Sequence, residues 1–315
     1  MRLSFGYIFG AAWFAPAALF AAQPAAPAKA EKAKPAPVVQ NYQPKPGLWL
    51  LADADTKIYL FGTTHMLPPG FKWRSAALDK IAAEADELVV ETYEEPDAEP
   101  DVDSIMAMFL EDPKPLTERV PKEHHEALRA AFKKHSIDID QMAMVRTWMV
   151  AVMLGFADEL EGWGVDDPKD APGVEESLEA QFRDAKKPIG SVEEPEAGLE
   201  AFNALPEEEQ VKLLVETIAP PAEEKAEEEK EAERSDHLWA QGRYEEAYAR
   251  DMKDMPPVLY DGLVVKRNAA WTEWLKARLE KPGTVLFAVG AAHLAGKDSV
   301  QNMLAKSGLD TKRVD

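Results

Sequence analysis

Lys57-Ile-Tyr-Leu-Phe-Gly62-Thr-Thr-His65 and Thr284-Val-Leu-Phe-Ala-Val-Gly290-Ala-Ala-His293 say nearly the same thing at opposite ends of one chain. Each is an apolar, β-rich run that closes on Gly-x-x-His. A strand's carboxyl end holds a side chain rigidly beside a crevice, so chemistry often sits there. A glycine at that point removes the Cβ and lets backbone or ligand come close. Two histidines delivered in this way point to one shared site, most simply a metal site.

Working outward, Leu48 to Ala52 and Lys57 to Phe61 read as a hairpin across the turn-like Asp53-Ala-Asp-Thr56. Ser75 caps a helix through Glu84 with Ala76, Leu78, Ile81 and Ala82 on its apolar side. Glu87 to Glu91 follows as a short strand, and its unbroken Leu88, Val89, Val90 suits burial on both faces. Strand, helix, strand implies parallel pairing. The far end repeats the order: a helix over Leu263–Leu279, a break at Pro282-Gly283, the second Gly-x-x-His strand, a helix from Asp298 to Lys306, and a strand through Val314. The expected fold is α/β (α+β). It has a mixed, largely parallel sheet flanked by helices, built from two pseudo-repeated strand–GxxH–helix–strand halves around a helical middle.

That middle spans about residues 104–260. Pro121 starts one helix. Met142 to Ala157 forms another, whose methionine stripe reads as core packing. Pro172-Gly173 precedes a helix through Ala185, and Lys187 to Val192 is strand-like. Helices over Val211–Thr217 and Leu238–Arg250 flank an acidic insertion at 222–234, a solvated or disordered excursion.

Residues 1–22 carry the pattern of a signal peptide, with Arg2 ahead of an apolar run interrupted by Pro16. An uncleaved membrane anchor is the alternative. Residues 23–46 are rich in Ala and Pro and read as an extended, disordered tether. One domain is then expected over 47–315, periplasmic or secreted, with no stable membrane insertion unless the leader stays attached.

The chain has 315 residues, 46% of them hydrophobic, and a net charge of -21, which argues against a nucleic-acid partner. It has no cysteine, so disulfides, thiolate metal sites and a cysteine nucleophile are excluded.

His65 and His293 lead the candidate site, since neutral imidazole is the commonest ligand for Zn²⁺, Mn²⁺ and Co²⁺. Glu91 is third: a carboxylate closing an apolar strand needs a metal, a cation or a proton. Glu193 repeats that pattern after Val192. Arg267 and Asn268 lie on an apolar helix, where the guanidinium pairs with Glu91 or Glu193, binds a substrate carboxylate, or forms a structural ion pair. His124, His125, His135 and His237 sit in charged helical stretches and read as surface histidines.

These residues also carry a resemblance. Tyr59-Leu-Phe-Gly-Thr-Thr-His65 with Leu88-Val-Val-Glu91 looks like the start of the TraB/PrgY/GumN family. Arg267-Asn268 with Trp271, then Phe287-Ala-Val-Gly-Ala-Ala-His-Leu-Ala-Gly296, resembles its end. Pro172-Gly-Val-Glu175 with Leu178, Lys187-Pro-Ile, and Val192-Glu193 are similar to its middle block. The resemblance implies a fold related to the ChaN and erythromycin-esterase-like group. It also implies kinship with the Tiki metal-dependent peptidases, which use paired Gly-x-x-His motifs and a glutamate. Carried over by motif, the metal ligands are His65, Glu91 and His293, with Glu193, Arg267 and Asn268 in support. Glu194, Pro195 and Gly198 depart from the family's usual middle block.

The function so implied is a metal-dependent, peptidase-like hydrolase holding one divalent ion (Mn, Co or Zn), with a peptide or small-molecule substrate. The alternatives are a non-catalytic periplasmic protein that sequesters a peptide or haem-like ligand, and a scaffold in envelope assembly.

Overall fold

The computed structural model describes residues 38–95, 102–194, 197–220, 230 and 234–315. The signal-like segment and most of the acidic insertion lie outside them. Among the described residues no helix is long and apolar enough to cross a membrane.

Six strands form one sheet: β1 (Leu48–Ala52), β2 (Thr56–Thr63), β3 (Glu87–Val90), β4 (Ile189–Ser191), β5 (Gly283–Gly290) and β6 (Lys312–Arg313). Their order is β4-β3-β5-β2-β1-β6. The pairs β2–β5, β3–β5 and β3–β4 are parallel, while β1 runs antiparallel to both β2 and β6. The sheet is thus mixed and mostly parallel. Burial follows position: Ile58, Leu60 and Phe61 on β2 and every residue from Val285 to Val289 on β5 are fully buried, as central parallel strands require.

The first half forms as its sequence dictates. The hairpin β1–β2 pairs Leu48 with Phe61 and Ala52 with Lys57. Ser75 caps α1 (Ala76–Glu84) by accepting from the Leu78 N–H at 3.2 Å. The strand β3, however, does not lie beside β2. The second Gly-x-x-His strand, β5, slots between them, so Glu91 adjoins the His293 strand rather than the His65 strand. Contacts of high sequence separation decide this, and no local pattern encodes them.

Further helices used below are α2 (Thr147–Gly162), α3 (Val174–Asp184), α4 (Ala197–Asn203), α5 (Glu207–Ile218), α6 (Tyr244–Asp254), α7 (Arg267–Leu279) and α8 (Val300–Lys306). Apolar faces of α1, α3, α6, α7 and α8 share one core with the sheet. The α2, α4 and α5 helices form a second core around Trp148, Phe202 and Leu214. The methionine-rich stretch belongs there: Met149 and Val152 are buried in it.

Two expected helices are interrupted. The stretch 238–250 breaks at Gly242 (φ +72°), where a Cβ would lie 2.3 Å from Arg313 and 2.7 Å from the Lys45 carbonyl. The stretch 263–279 begins as a π-helical turn, Asp261–Lys266, before α7. Gly262 allows that turn to approach Ala201 of α4, which a Cβ would meet at 2.6 Å. Residues 38–46, read above as tether, lie along the domain. Gln40 exchanges two hydrogen bonds with the Lys72 backbone, at 2.8 and 2.7 Å, and the Tyr42 hydroxyl sits 2.6 Å from His237 Nδ1.

Candidate active site

Four parallel strands deliver their carboxyl ends to one edge of the sheet, and four of the expected residues follow directly. His65 comes after β2, Glu91 after β3, Glu193 after β4 and His293 after β5. Gly62 faces Val289 and Thr63 faces Gly290, so the two Gly-x-x-His motifs leave the sheet nearly level. Gly62 is needed for close approach: a Cβ there would meet Tyr244 at 2.4 Å and the Ala291 backbone at 2.9 Å. In return, Tyr244 and Trp239 donate to the Gly62 carbonyl at 3.0 and 2.9 Å.

Arg267 enters from the first turn of α7, aimed by the π-helical turn before it. Such turns frequently mark functional sites. Its Nη2 donates to Glu91 Oε2 and to Glu193 Oε1, each at 2.5 Å. Its Nε donates to Glu193 Oε1 and Oε2 at 3.0 and 3.1 Å, and its Nη1 lies 3.2 Å from His293 Nε2. Arg267 therefore bridges both carboxylates.

Each remaining partner is also engaged. Glu91 Oε1 accepts from the Gly290 N–H at 2.6 Å, and Glu193 Oε2 accepts from Trp271 Nε1 at 2.8 Å. The Trp271 ring stands 4.3 Å from that of His293 and 4.8 Å from the Arg267 guanidinium. Asn268 fixes His293: its Nδ2 donates to the His293 and Asp298 carbonyls at 3.2 and 2.8 Å, which turns its Oδ1 toward His293 Nδ1 at 2.6 Å. The proton of neutral His293 is thereby held on Nδ1. Its Nε2 is left with the lone pair, 3.9 Å from Glu91 Oε1.

The electrostatics separate these groups. Burial alone would raise the Glu91 carboxyl, but Arg267, His293, His65 and the Gly290 N–H together hold it down at about 2. Glu193 goes the other way: burial, with Glu91 close by, lifts it above the usual carboxylate range against the pull of Arg267. One cation shared by two carboxylates produces this split. Burial and the neighbouring Arg267 push His293 down to about 3, so it is neutral. Burial opposes charge on His65 as well, but Glu175 outweighs it and raises that imidazole.

Glu175 is the residue that motif reasoning about catalysis passed over. It lies in the first turn of α3, and its Oε1 lies 2.7 Å from His65 Nδ1 while accepting from the Thr63 hydroxyl. Glu175 shares the apolar side of α3 with Leu178 and Phe182, all three buried. A carboxylate at that spacing was the available signal. Trp271 was quoted in a motif, but its role as a Glu193 donor needs the fold. The other four histidines are half-buried rather than surface groups. Three have partners: His125 faces the Val120 carbonyl at 3.0 Å, His135 pairs with Asp158 at 2.8 Å, and His237 faces Tyr42.

Residues 47–313 match the TraB/PrgY/gumN family. The chain belongs to the TraB/PrgY/gumN family. Neither curated proteins nor solved structures give a match.

The family resemblance implies a divalent ion, and the side chains present allow a test of fit. Among the described residues, the group of three whose ligand atoms all lie within 4.8 Å of one another is His135, Asp158 and Glu161, already spanned by Lys134. His65, Glu91 and His293 are not so gathered in this arrangement, where Arg267 takes the cation's place beside Glu91. Their donor chemistry nevertheless fits. His293 Nδ1 is hydrogen-bonded to the buried Asn268 Oδ1, the outer-shell arrangement of metal-ligating imidazole; His65 Nδ1 lies 2.7 Å from Glu175 Oε1 without a hydrogen bond, and Glu91 adds a hard oxygen donor.

Proposed function

We propose that this protein is a metal-dependent hydrolase of the cell envelope that acts on peptide bonds, with His65, Glu91 and His293 as the residues that would hold one Mn²⁺, Co²⁺ or Zn²⁺. One observation carries the reading. In both copies of the motif the histidine's Nδ1 lies against a buried side-chain oxygen, Glu175 Oε1 at 2.7 Å for His65 and Asn268 Oδ1 at 2.6 Å for His293, so the ring nitrogen left to meet a ligand is Nε2, which in His293 now faces Arg267 Nη1.

A bound divalent ion supplies Lewis acidity toward a carbonyl oxygen and lowers the pKa of a water. The chain's own groups supply the rest. His293 is neutral and offers a lone pair rather than a positive charge. Glu193, lifted by burial, stands closer to neutrality than an ordinary carboxyl and is suited to take and return a proton. Arg267 holds both carboxylates in place and carries a fixed positive charge to where a developing oxyanion is stabilised. The site's near-complete burial strengthens each of these interactions. The leader pattern of residues 1–22 supports an envelope location, and the likeness to the Tiki proteases supports peptide substrates.

The test is metal content by mass spectrometry on untagged protein, wild type beside His65→Ala and His293→Ala, followed by a peptide-library screen with and without chelator. Near-stoichiometric metal lost in both variants, with chelator-sensitive cleavage, is expected. Folded wild type that stays metal-free after reconstitution, or full turnover in either variant, would overturn the assignment. Stoichiometric ligand capture without turnover would return the protein to the binding class.

A further inference from the structure

We infer that Glu175 is the positioning residue of His65, and that the two halves of the repeat orient their histidines by different chemistry: a carboxylate for His65 and an amide for His293. The inference rests on the proposed site, but its first test does not need the metal.

The sequence builds this contact from the backbone outward. Gly173 is the N-cap of α3, and a Cβ there would lie 2.2 Å from the His65 carbonyl oxygen. Only glycine lets the start of α3 sit against the turn that carries His65. The Val174 N–H then donates to the Thr64 carbonyl at 3.0 Å, tying the helix to that turn. Glu175 follows in the first turn of α3, where the helix dipole favours negative charge.

Its Oε1 accepts from the Thr63 hydroxyl and lies 2.7 Å from His65 Nδ1, a buried nitrogen that makes no hydrogen bond in this geometry and has no acceptor nearer than that oxygen to turn to. Its Oε2 is buried and has no hydrogen-bond partner. A half-satisfied buried carboxylate costs stability. Packing alone would be met by an apolar side chain beside Leu178 and Phe182. The carboxylate is explained if Oε1 holds the proton of His65 on Nδ1 and so turns Nε2 outward.

The experiment uses the full chain labelled with ¹⁵N-histidine. Long-range proton–nitrogen spectra of metal-free wild type, Glu175→Gln, Glu175→Ala and Glu175→Met are recorded at alkaline pH, where imidazole is neutral. Wild type and Glu175→Gln, which keeps an acceptor, should hold the His65 proton on Nδ1. Glu175→Ala and the volume-preserving Glu175→Met should release it to the Nε2–H form, with His293 unchanged throughout. Titration with Zn²⁺ alone should then show binding weakened about 10- to 100-fold in the Ala and Met variants and partly rescued by Gln.

A His65 tautomer that is the same in all four proteins overturns the inference, even if wild type binds metal. A wild type that holds the tautomer but never binds Mn²⁺, Co²⁺ or Zn²⁺ overturns the metallohydrolase reading and upholds the role of Glu175.

Discussion

Asn268 grips His293 at two points, accepting at Oδ1 from ring Nδ1 at 2.6 Å and donating from Nδ2 to the backbone carbonyl at 3.2 Å. One amide thus fixes both the ring's tautomer and the turn that presents it. Asn268→Ala should leave the Asp298 and His293 carbonyls without their donor and free the ring to flip. The expected result is a loss of about 1–3 kcal/mol in stability by urea unfolding. A mixed His293 tautomer by nitrogen NMR should accompany it. A ring that keeps its tautomer would show that Arg267 and Trp271 suffice to hold it.

Arg267 is the single cation paired with two buried carboxylates. Arg267→Ala leaves both without a cation and should destabilise the fold by about 3–5 kcal/mol. Arg267→Lys keeps the charge but loses the planar fork, so it should recover only part of that loss. Chemical denaturation of the two variants beside wild type measures this. Equal stability of Lys and Arg would mean that charge alone matters.

The pH dependence has three named contributors. Glu91 is depressed from 4.5 to about 2, so its contribution is present above pH 4.5 and disappears as pH falls toward 2. His293 is depressed from 6.5 to about 3, so the unfolded chain takes up that proton first and stability falls as pH drops from 6.5 to about 3, overlapping Glu91 below 4.5. Glu179 runs oppositely. Burial and neighbouring Glu175 push it up to about 7 from 4.5, so the folded state binds its proton first and stability falls as pH rises from 4.5 to 7. Below pH 4.5 Glu91 and His293 act together, and a steep acid transition is expected. Glu179→Gln should gain on wild type by on the order of 2 kcal/mol as pH rises from 4.5 to 7. Denaturant midpoints across a pH series check it, and a pH-independent difference would remove Glu179 from the account.

Gly62→Ala places a methyl 2.4 Å from the Tyr244 ring and 2.9 Å from the Ala291 backbone. The backbone cannot yield cheaply, so a loss of about 1–3 kcal/mol is expected. Thermal unfolding reads it. Tyr244→Ala clears the ring at a cavity cost of its own but leaves Ala291, so in a double-mutant cycle Gly62→Ala should cost less on the Tyr244→Ala background than on wild type, though not nothing.

Local chemistry was readable directly. The alternation and turn of Leu48 to Phe61, the Ser75 cap and the apolar run Leu88 to Val90 specify their elements through nearby atoms. Each strand-closing residue (His65, Glu91, Glu193 and His293) was visible as a polar group ending an apolar run, because a buried strand has no other use for it.

Pairing was not readable in that way. Whether β3 lies beside β2 or β5 depends on contacts made some 200 residues apart, and either order satisfies the same burial pattern. The Gly242 break likewise answers to Arg313 and Lys45, residues far from it along the chain. The sequence by itself determined which residues close the strands and that the parallel strands share one carboxyl edge. Only the tertiary structure decided that Arg267 bridges Glu91 and Glu193, and that Glu175 and not another acid of α3 meets His65. Hydrophobic periodicity records which face of an element is buried, and carries no information about the partner across the gap.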